Sequence, residues 1–292
     1  MTEAEGFEEH RRYLGAVAYR MLGSLADAED MVQEAWLRWS AVDRSTVDSP
    51  RAYLTTVVTR LCYDFLGSAR SRREAYYGEW LPEPLVDEAP TPHDRAELGE
   101  EVSLAMMAVL ERLSPAERAA FVLHDVFGVE FPQIAVTLDR SDAAVRQLAS
   151  RARKQVKDQS PGKPVDRAAH RKAVEAFAAA VSKGDIIGLM KVLAPDVAWH
   201  SDGGGIVTAS VRPILGADNV GRLIVGLVEK YFKPGTTVAF VEVNGEPGLV
   251  LYYPDGSVGA VLALCVQDGL IAESYIVVNP EKLGRVTARM TE

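Results

Sequence analysis

Residues 131–157 read FPQIAVTLDRSDAAVRQLASRARKQVK, and the rest of the chain is best read outward from them. Ile134 and Leu138 recur at helical spacing in a short first segment, and Asp139-Arg140-Ser141 then makes a tight turn. In the longer segment that follows, Val145, Leu148, Ala152 and Val156 form one apolar stripe. Arg146, Gln147, Ser150, Arg151 and Lys154 occupy the opposite side, with Ser141 at the turn. Two helices joined in this way make a helix-turn-helix. The second has what a recognition helix needs: an apolar back for seating, amide and guanidinium groups that bond base edges in pairs, and cations for phosphates. A surface helix with solvated charges would share part of this pattern. The basic run continuing through Arg153, Lys154 and Lys157 favours DNA.

The average charge points the other way. The 292 residues carry 41 acidic and 32 basic side chains, a net charge of -9. Division along the chain resolves the conflict. Residues 140–172 hold ten basic and three acidic side chains, while 80–139 hold twelve acidic and three basic. A smaller cationic cluster is Arg70, Arg72 and Arg73. Local patches decide which surface meets phosphates.

On either side of the helix-turn-helix the pattern is helical. Residues 94–113 and a segment opening at Ser114-Pro115-Ala116-Glu117 precede it, the latter with cap, proline and glutamate at the spacing of a capping box. Residues 7–22, 26–40 and 51–73 read as three more helices. In the second, Met31, Ala35 and Leu37–Trp39 are the expected buried side. Thr55-Thr56-Val57-Val58-Thr59 is β-branched, but the length of its segment argues for a helix. Residues 80–93, WLPEPLVDEAPTPH, have the composition of a linker, as do 159–165. From 166 the pattern becomes α+β: helices at 166–182 and 185–193, a strand at 197–200, a helix at 217–232, then strands separated by glycine turns up to 278.

The composition, 48% hydrophobic and 25% charged, is that of a soluble globular protein and excludes wholesale disorder. The longest apolar run, Val258–Val266, is too short to span a membrane. The polar N-terminus does not read as a signal peptide, so a cytoplasmic location is expected. Cys62 and Cys265 suggest neither a disulfide framework nor a metal site, and no cofactor is expected.

Three segments together resemble an extracytoplasmic-function sigma factor, the promoter-specificity subunit of bacterial RNA polymerase. DAEDMVQEAWLRW (27–39) resembles that family's polymerase-binding helix. SPRAYLTTVVTRLCYDFLGSARSRR (49–73) resembles its −10-reading and melting segment, and residues 113–156 its −35-reading domain. Trp80-Leu81-Pro82-Glu83-Pro84, Asp202-Gly203-Gly204-Gly205 and Asn279-Pro280-Glu281-Lys282-Leu283 resemble signatures of a subgroup with a fused C-terminal SnoaL-like domain. The glycine signature usually continues with Lys or Arg; here Ile206 follows.

The resemblance implies a multidomain chain. An all-α region 2 bundle (1–79) and a region 4 helix-turn-helix domain (94–158), joined by an acidic linker (80–93), would precede a cone-shaped α+β domain of the NTF2-like fold (166–292). It implies that Asp27, Glu29, Asp30, Gln33 and Glu34 bind core RNA polymerase, through its β and β′ subunits. Arg60, Asp64, Arg70, Arg72 and Arg73 would serve the −10 element of promoter DNA, with Tyr53, Tyr63, Tyr76 and Tyr77 available for stacking. Ser141, Arg146, Gln147, Ser150, Arg151 and Lys154 would read the −35 element. Asp202–Gly205 and Asn279–Leu283 would help form the surface where the C-terminal domain docks on the sigma core, and Trp80, Pro82, Glu83 and Pro84 would belong to the same regulatory interface. The linker would lie in a basic polymerase channel, or simply be a solvated spacer.

For the C-terminal domain, a regulator with a small ligand in its cup and a catalytic cup are both open, because fold alone decides nothing. His200, Asp202 and Glu273, with Tyr252, Tyr253 and Tyr275, are its candidate acid-base groups. The expectation is a sigma factor with no catalysis of its own. The alternatives are a free-standing helix-turn-helix regulator and a SnoaL-like enzyme with an accessory DNA-binding portion.

Overall fold

The structure, a computed structural model, describes residues 5–74, 76–87, 102–159 and 165–286. Residues 88–93 of the acidic linker, 94–101 of the helix expected at 94–113, and 160–164 of the second linker lie outside the described residues. The chain divides into two compact units. One takes 1–74, 90–102 and 106–159; the other takes 75–89, 103–105 and 160–292. The acidic linker, expected to run between domains, thus contributes its first half to the C-terminal unit.

The first unit begins with α1 (Glu5–Leu22), α2 (Leu25–Ser40) and α3 (Pro50–Glu74). Ser24 starts α2 by accepting a hydrogen bond from the Asp27 amide. The buried stripe of α2 is Ala28, Val32, Ala35 and Trp39, which keeps the expected Ala35 and Trp39 but not Met31 or Leu37. Leu37 is 55% exposed, because two residues' rotation from Ala35 turns it well away from that stripe. In α3 the β-branched run is helical. Thr55 and Thr59 are buried with Leu54 and Val58, and the Thr55 hydroxyl bonds back to the Arg51 carbonyl at 2.7 Å.

The same unit continues with α4 (Leu104–Leu110) from residue 106 onward, α5 (Pro115–Phe121), α6 (Phe131–Leu138) and α7 (Asp142–Gln159). Both halves of the capping box form at α5, and a π turn over Val122–Val126 prolongs the helix. Asp139 adopts the left-handed conformation (φ 52°) that ends α6. The Ser141 hydroxyl accepts the Ala144 amide at 3.2 Å and opens α7. Val145, Leu148, Ala152 and Val156 are buried as their spacing requires, with Ala149 beside them.

The second unit is a helix-plus-sheet domain. α8 (Arg167–Lys183), α9 (Ile186–Val192) and α10 (Ala217–Tyr231) accompany strands β1 (Val86–Asp87), β2 (Leu193–Asp202), β3 (Ile214–Leu215), β4 (Thr237–Val243), β5 (Glu246–Tyr252), β6 (Val258–Gln267) and β7 (Leu270–Val277); α11 (Pro280–Leu283) follows. The strand order is β1-β4-β5-β6-β7-β2-β3, and only the β2–β7 pair is parallel. β2 is longer than expected and runs through exposed Pro195. Its register with β7 shifts between Leu193 and Ala198, an irregularity that accommodates a residue without an amide donor. The apolar run Val258–Val266 becomes the central strand β6, buried along most of its length. Phe177, Leu189, Trp199, Ile224, Leu264 and Ile271 belong to the core that joins helices to sheet.

Candidate functional site

Two surfaces in the first unit and one buried cluster in the second hold the residues singled out from the sequence. On α2, Glu29, Asp30 and Gln33 are exposed while Asp27 and Glu34 are half-buried. Glu34 pairs with Arg38 one turn on, at 3.2 Å. Asp30, Gln33, Glu34 and Leu37 fall at the i, i+3, i+4, i+7 spacing of one helix face. The acidic face therefore has an exposed apolar member that sequence reasoning had buried. Helical spacing from Asp30 would have found it.

On α7, Arg146, Gln147, Ser150, Arg151 and Lys154 are all exposed, as is Ser141 at its start. Two of these are already positioned. Arg146 pairs with Asp142 at 3.1 Å and lies 4.5 Å over the Phe131 ring, which holds its guanidinium in a set direction. Arg151 bonds Glu117 at 2.8 Å and so ties α7 to the α5 cap. Burial pushes the Glu117 carboxyl up, but the bonds from Ser114 and Arg151 outweigh it and leave it below its ordinary value. Gln147 and Lys154 project from the same exposed face.

The expected −10 residues behave differently. Arg60 donates to the Thr137 carbonyl at 2.9 Å and to the Val136 carbonyl at 2.8 Å. Thr56 meets Thr137 through their hydroxyls at 3.1 Å. Arg60 is thus spent on the first helix of the helix-turn-helix, while Asp64 on the next turn is exposed. Arg70, Arg72 and Arg73 lie in α3, but their side chains are outside the described residues. Of the tyrosines, Tyr53 packs on Trp39 and Tyr77 is exposed.

The second unit brings three separated motifs into one buried cluster around Asp202, which is 0% exposed. Its carboxylate accepts from the Tyr76 hydroxyl at 2.6 Å, the Leu81 amide at 2.9 Å, the Gly204 amide at 3.0 Å and the Lys282 ammonium at 2.7 Å. Lys282 also donates to the Leu81 carbonyl and sits 4.0 Å over the Trp80 ring. Asn279 caps α11, accepting the Glu281 amide, and its side-chain amide donates to the Tyr76 hydroxyl at 2.9 Å. Burial and the Asp202 carboxylate push the Tyr76 phenol up, which keeps it protonated as a donor.

The glycines of 203–205 have geometric reasons. A Cβ on Gly203 would lie 2.1 Å from the Val207 carbonyl oxygen, and one on Gly204, at φ +63°, would lie 2.4 Å from Asn279 Nδ2. Ile206, where the signature usually has a cation, is 57% exposed; the cation beside Asp202 is Lys282. Pro82, Glu83 and Pro84 are buried, and Leu283 is buried while Pro280 and Glu281 are exposed.

The attachment of 76–87 extends past Asp202. The Leu85 amide donates to the Asn244 side chain at 3.0 Å, the Asn244 amide donates to the Leu85 carbonyl at 2.8 Å, and β1 pairs with β4 in antiparallel register. Glu79 meets His200 Nδ1 at 2.7 Å. His200 stacks on Tyr275 at 4.7 Å, and the Tyr275 hydroxyl donates to Glu273 at 2.6 Å. Tyr76, Glu79, Leu81 and Leu85 were not singled out as partners of the C-terminal domain from sequence. Nothing local to them signals a strand partner some 160 residues away.

In this cluster Asp202 and His200 are bonded to residues 76–81. The cavity of the second unit is lined by neither, nor by Glu273, Tyr252 or Tyr275; of the candidate acid-base groups only Tyr253 reaches it. Among the described residues no group of acidic, histidine and cysteine side chains could hold a metal. No described helix is long and apolar enough to cross a membrane. Cys62 and Cys265 are buried and unpaired with each other.

Comparison with known proteins agrees with the order of the elements. The Sigma-70 region 2 family model matches residues 7–72, and the Sigma-70 region 4 model matches 103–156. The ECF RNA polymerase sigma factor SigJ of Mycobacterium tuberculosis is 44% identical over 296 residues, covering 96% of this chain and 93% of the relative. A probable ECF sigma factor of the same species, SigI, is 37% identical over 284 residues, covering 96% and 94%. The crystal structure of M. tuberculosis SigJ superposes with a TM-score of 0.78 at 40% identity, covering 96% of this chain and 98% of that one. A helical region 2, a helix-turn-helix region 4 and a closing helix-plus-sheet domain, matched along nearly their whole length, mean that this chain belongs to the extracytoplasmic-function RNA polymerase sigma factors.

Proposed function

We propose that this sigma factor carries its own regulator, and that the regulated element is the linker between its two DNA-reading regions. The family assigns binding to core RNA polymerase and promoter-specific initiation, and the cytoplasm is where this sigma factor would act. α2 would supply the polymerase contact through Asp30, Gln33, Glu34 and Leu37. Charge complementarity there steers association, and the exposed leucine adds an apolar anchor. α7 would enter the −35 major groove with Arg146 and Gln147 on base edges and Lys154 on phosphate.

The observation that carries the regulatory reading is the buried Asp202, which takes hydrogen bonds from Tyr76 and Leu81 of the linker. Residues held there cannot at the same time lie in a polymerase channel. Promoter geometry makes the hold consequential. Elements centred near −35 and −10 lie roughly 85 Å apart at about 3.4 Å per base pair. A stretch as long as 75–102 reaches about 95 Å when fully extended, and holding 76–87 withdraws twelve of its residues from that extension. Arg60 must also leave the Val136 and Thr137 carbonyls before it can face DNA. The regulatory reading is supported by Asp202 and His200, two of the candidate acid-base groups, which bond residues 76–81.

Run-off transcription with core polymerase tests this. Asp202→Ala, which frees the linker, is expected to raise transcript yield at a fixed sigma concentration. Unchanged or lower yield from a variant that still binds core polymerase overturns the reading.

A further inference from the structure

The second unit holds a half-open cavity of about 250 Å³. Its sheet wall is one face of alternating residues, Leu249 and Leu251 on β5, Tyr253 just past its end, and Val258, Ala260 and Leu262 on β6. Its helical wall is Ile224, Leu227, Val228 and Tyr231 on α10, the i, i+3, i+4, i+7 stripe of one face. No carboxylate, imidazole, ammonium or guanidinium lines it; the polar side chains are those of Thr208, Tyr231 and Tyr253. An ion drawn against these walls would lose part of its water and find no charged partner, so desolvation disfavours charged ligands. A cavity of about 150 Å³ holds a benzene ring, so this one has room for roughly ten or more non-hydrogen atoms.

Part of the wall is also part of the linker hold. Val278 and Pro280 line the cavity and flank Asn279; the Val278 and Asn279 amides both donate to the Asp202 carbonyl, at 2.9 and 3.0 Å. Val207 and Thr208 line it too, and the Val207 amide donates to the Gly203 carbonyl at 3.0 Å. The backbone stretches 202–208 and 278–280 thus face the cavity on one side and Tyr76 and Leu81 on the other. No flexible spacer separates the two tasks.

From this we infer that the cavity is a binding site for a neutral, apolar small molecule of about the size of a two-ring aromatic, and that its occupant tightens the hold on residues 76–87. The sign follows from linkage: the wall is complete only while 202–208 and 278–280 are in place, so a ligand that touches them favours the held state. The inference rests on the linker being the regulated element, but the binding half stands without it.

The test uses the full chain with 1-aminonaphthalene, and naphthalene-1-sulfonate as its charged counterpart. Saturable binding of the amine and not of the sulfonate is expected by titration calorimetry. Hydrogen exchange of the 76–87 peptide should slow by up to about tenfold at ten times the dissociation constant. Ala260→Phe and Ala178→Phe, which fill the cavity from the sheet and from α8, should each abolish binding. No saturable amine binding by the unaltered chain, equal binding of the sulfonate, or undiminished binding by folded filled variants overturns the site. Amine binding with unaltered exchange at 76–87 overturns the coupling. Neither result depends on the Asp202→Ala transcription assay, so failure of the ligand site and failure of the linker reading are told apart.

Discussion

The charges of α7 and the charges around Asp202 belong to the same chain and obey opposite rules. Those of α7 stand in water on an exposed face, where they contribute little to stability and remain free to meet a partner. Those around Asp202 are removed from water. A carboxylate that is 0% exposed and an ammonium whose side chain is 8% exposed persist only because the bonds between and around them are satisfied. The contrast teaches how to read function from charge: an exposed like-charged face is built for another molecule, whereas a saturated buried pair is built for a segment of its own chain. The acidic face of α2 falls in the first class, and the linker hold in the second.

The contrast breaks most visibly at Asp202. Asp202→Ala leaves Lys282 buried without its carboxylate and is expected to cost about 3–5 kcal/mol, read by urea unfolding of the full chain. Lys282→Met in the same background should recover part of that loss, because the buried cation is then gone; a strictly additive double variant would show that the pair is not coupled. On the exposed side, Asp30→Lys with Glu34→Lys should weaken core polymerase binding by about a hundredfold or more through like-charge opposition. The same change should move unfolding by less than about 0.5 kcal/mol.

Smaller effects sharpen the comparison. Gly204→Ala puts a Cβ against Asn279 at positive φ, and a cost of about 1–3 kcal/mol is expected in thermal melting. Gln147→Ala should lose about 1–3 kcal/mol of base discrimination at one −35 position while leaving stability alone, as read by competition binding to promoter variants. The smallest effect is at Glu117. Its carboxyl lies below its ordinary value in the folded chain, so it contributes stability at neutral pH that is lost as pH falls through the folded value. Glu117→Gln should flatten that acid limb in a pH series of melting temperatures.

Much of the fold was legible because it depends on short-range pattern. The stripe Val145, Leu148, Ala152 and Val156 seats α7, and Ser114 with Glu117 caps α5, through interactions spanning a few residues. Leu37, expected with Ala35 and Trp39 on the buried side, is exposed because a step of two residues turns it about 200° from Ala35. Residues 80–93 were read as a spacer because proline and carboxylate content signals solvation. Yet Pro82, Glu83 and Pro84 are buried, since a distant sheet edge and a buried carboxylate offer partners that composition cannot reveal. The three motifs 80–84, 202–205 and 279–283 were found as words in the sequence, but their meeting point was not.

The sequence by itself determined the helices, their polar and apolar faces, the order of the regions and the family, since periodicity, caps and local charge are written in neighbouring residues. Tertiary structure alone decided that Tyr76, Leu81, Asp202, Asn279 and Lys282 share one dry cluster and that Arg60 bonds a helix rather than standing free. It also decided that Asp202 and His200 bond residues 76–81 and that Tyr253 is the candidate acid-base group that lines the cavity. Those outcomes depend on which distant groups can satisfy one another's hydrogen bonds once water is gone, and that is set only when the chain has folded.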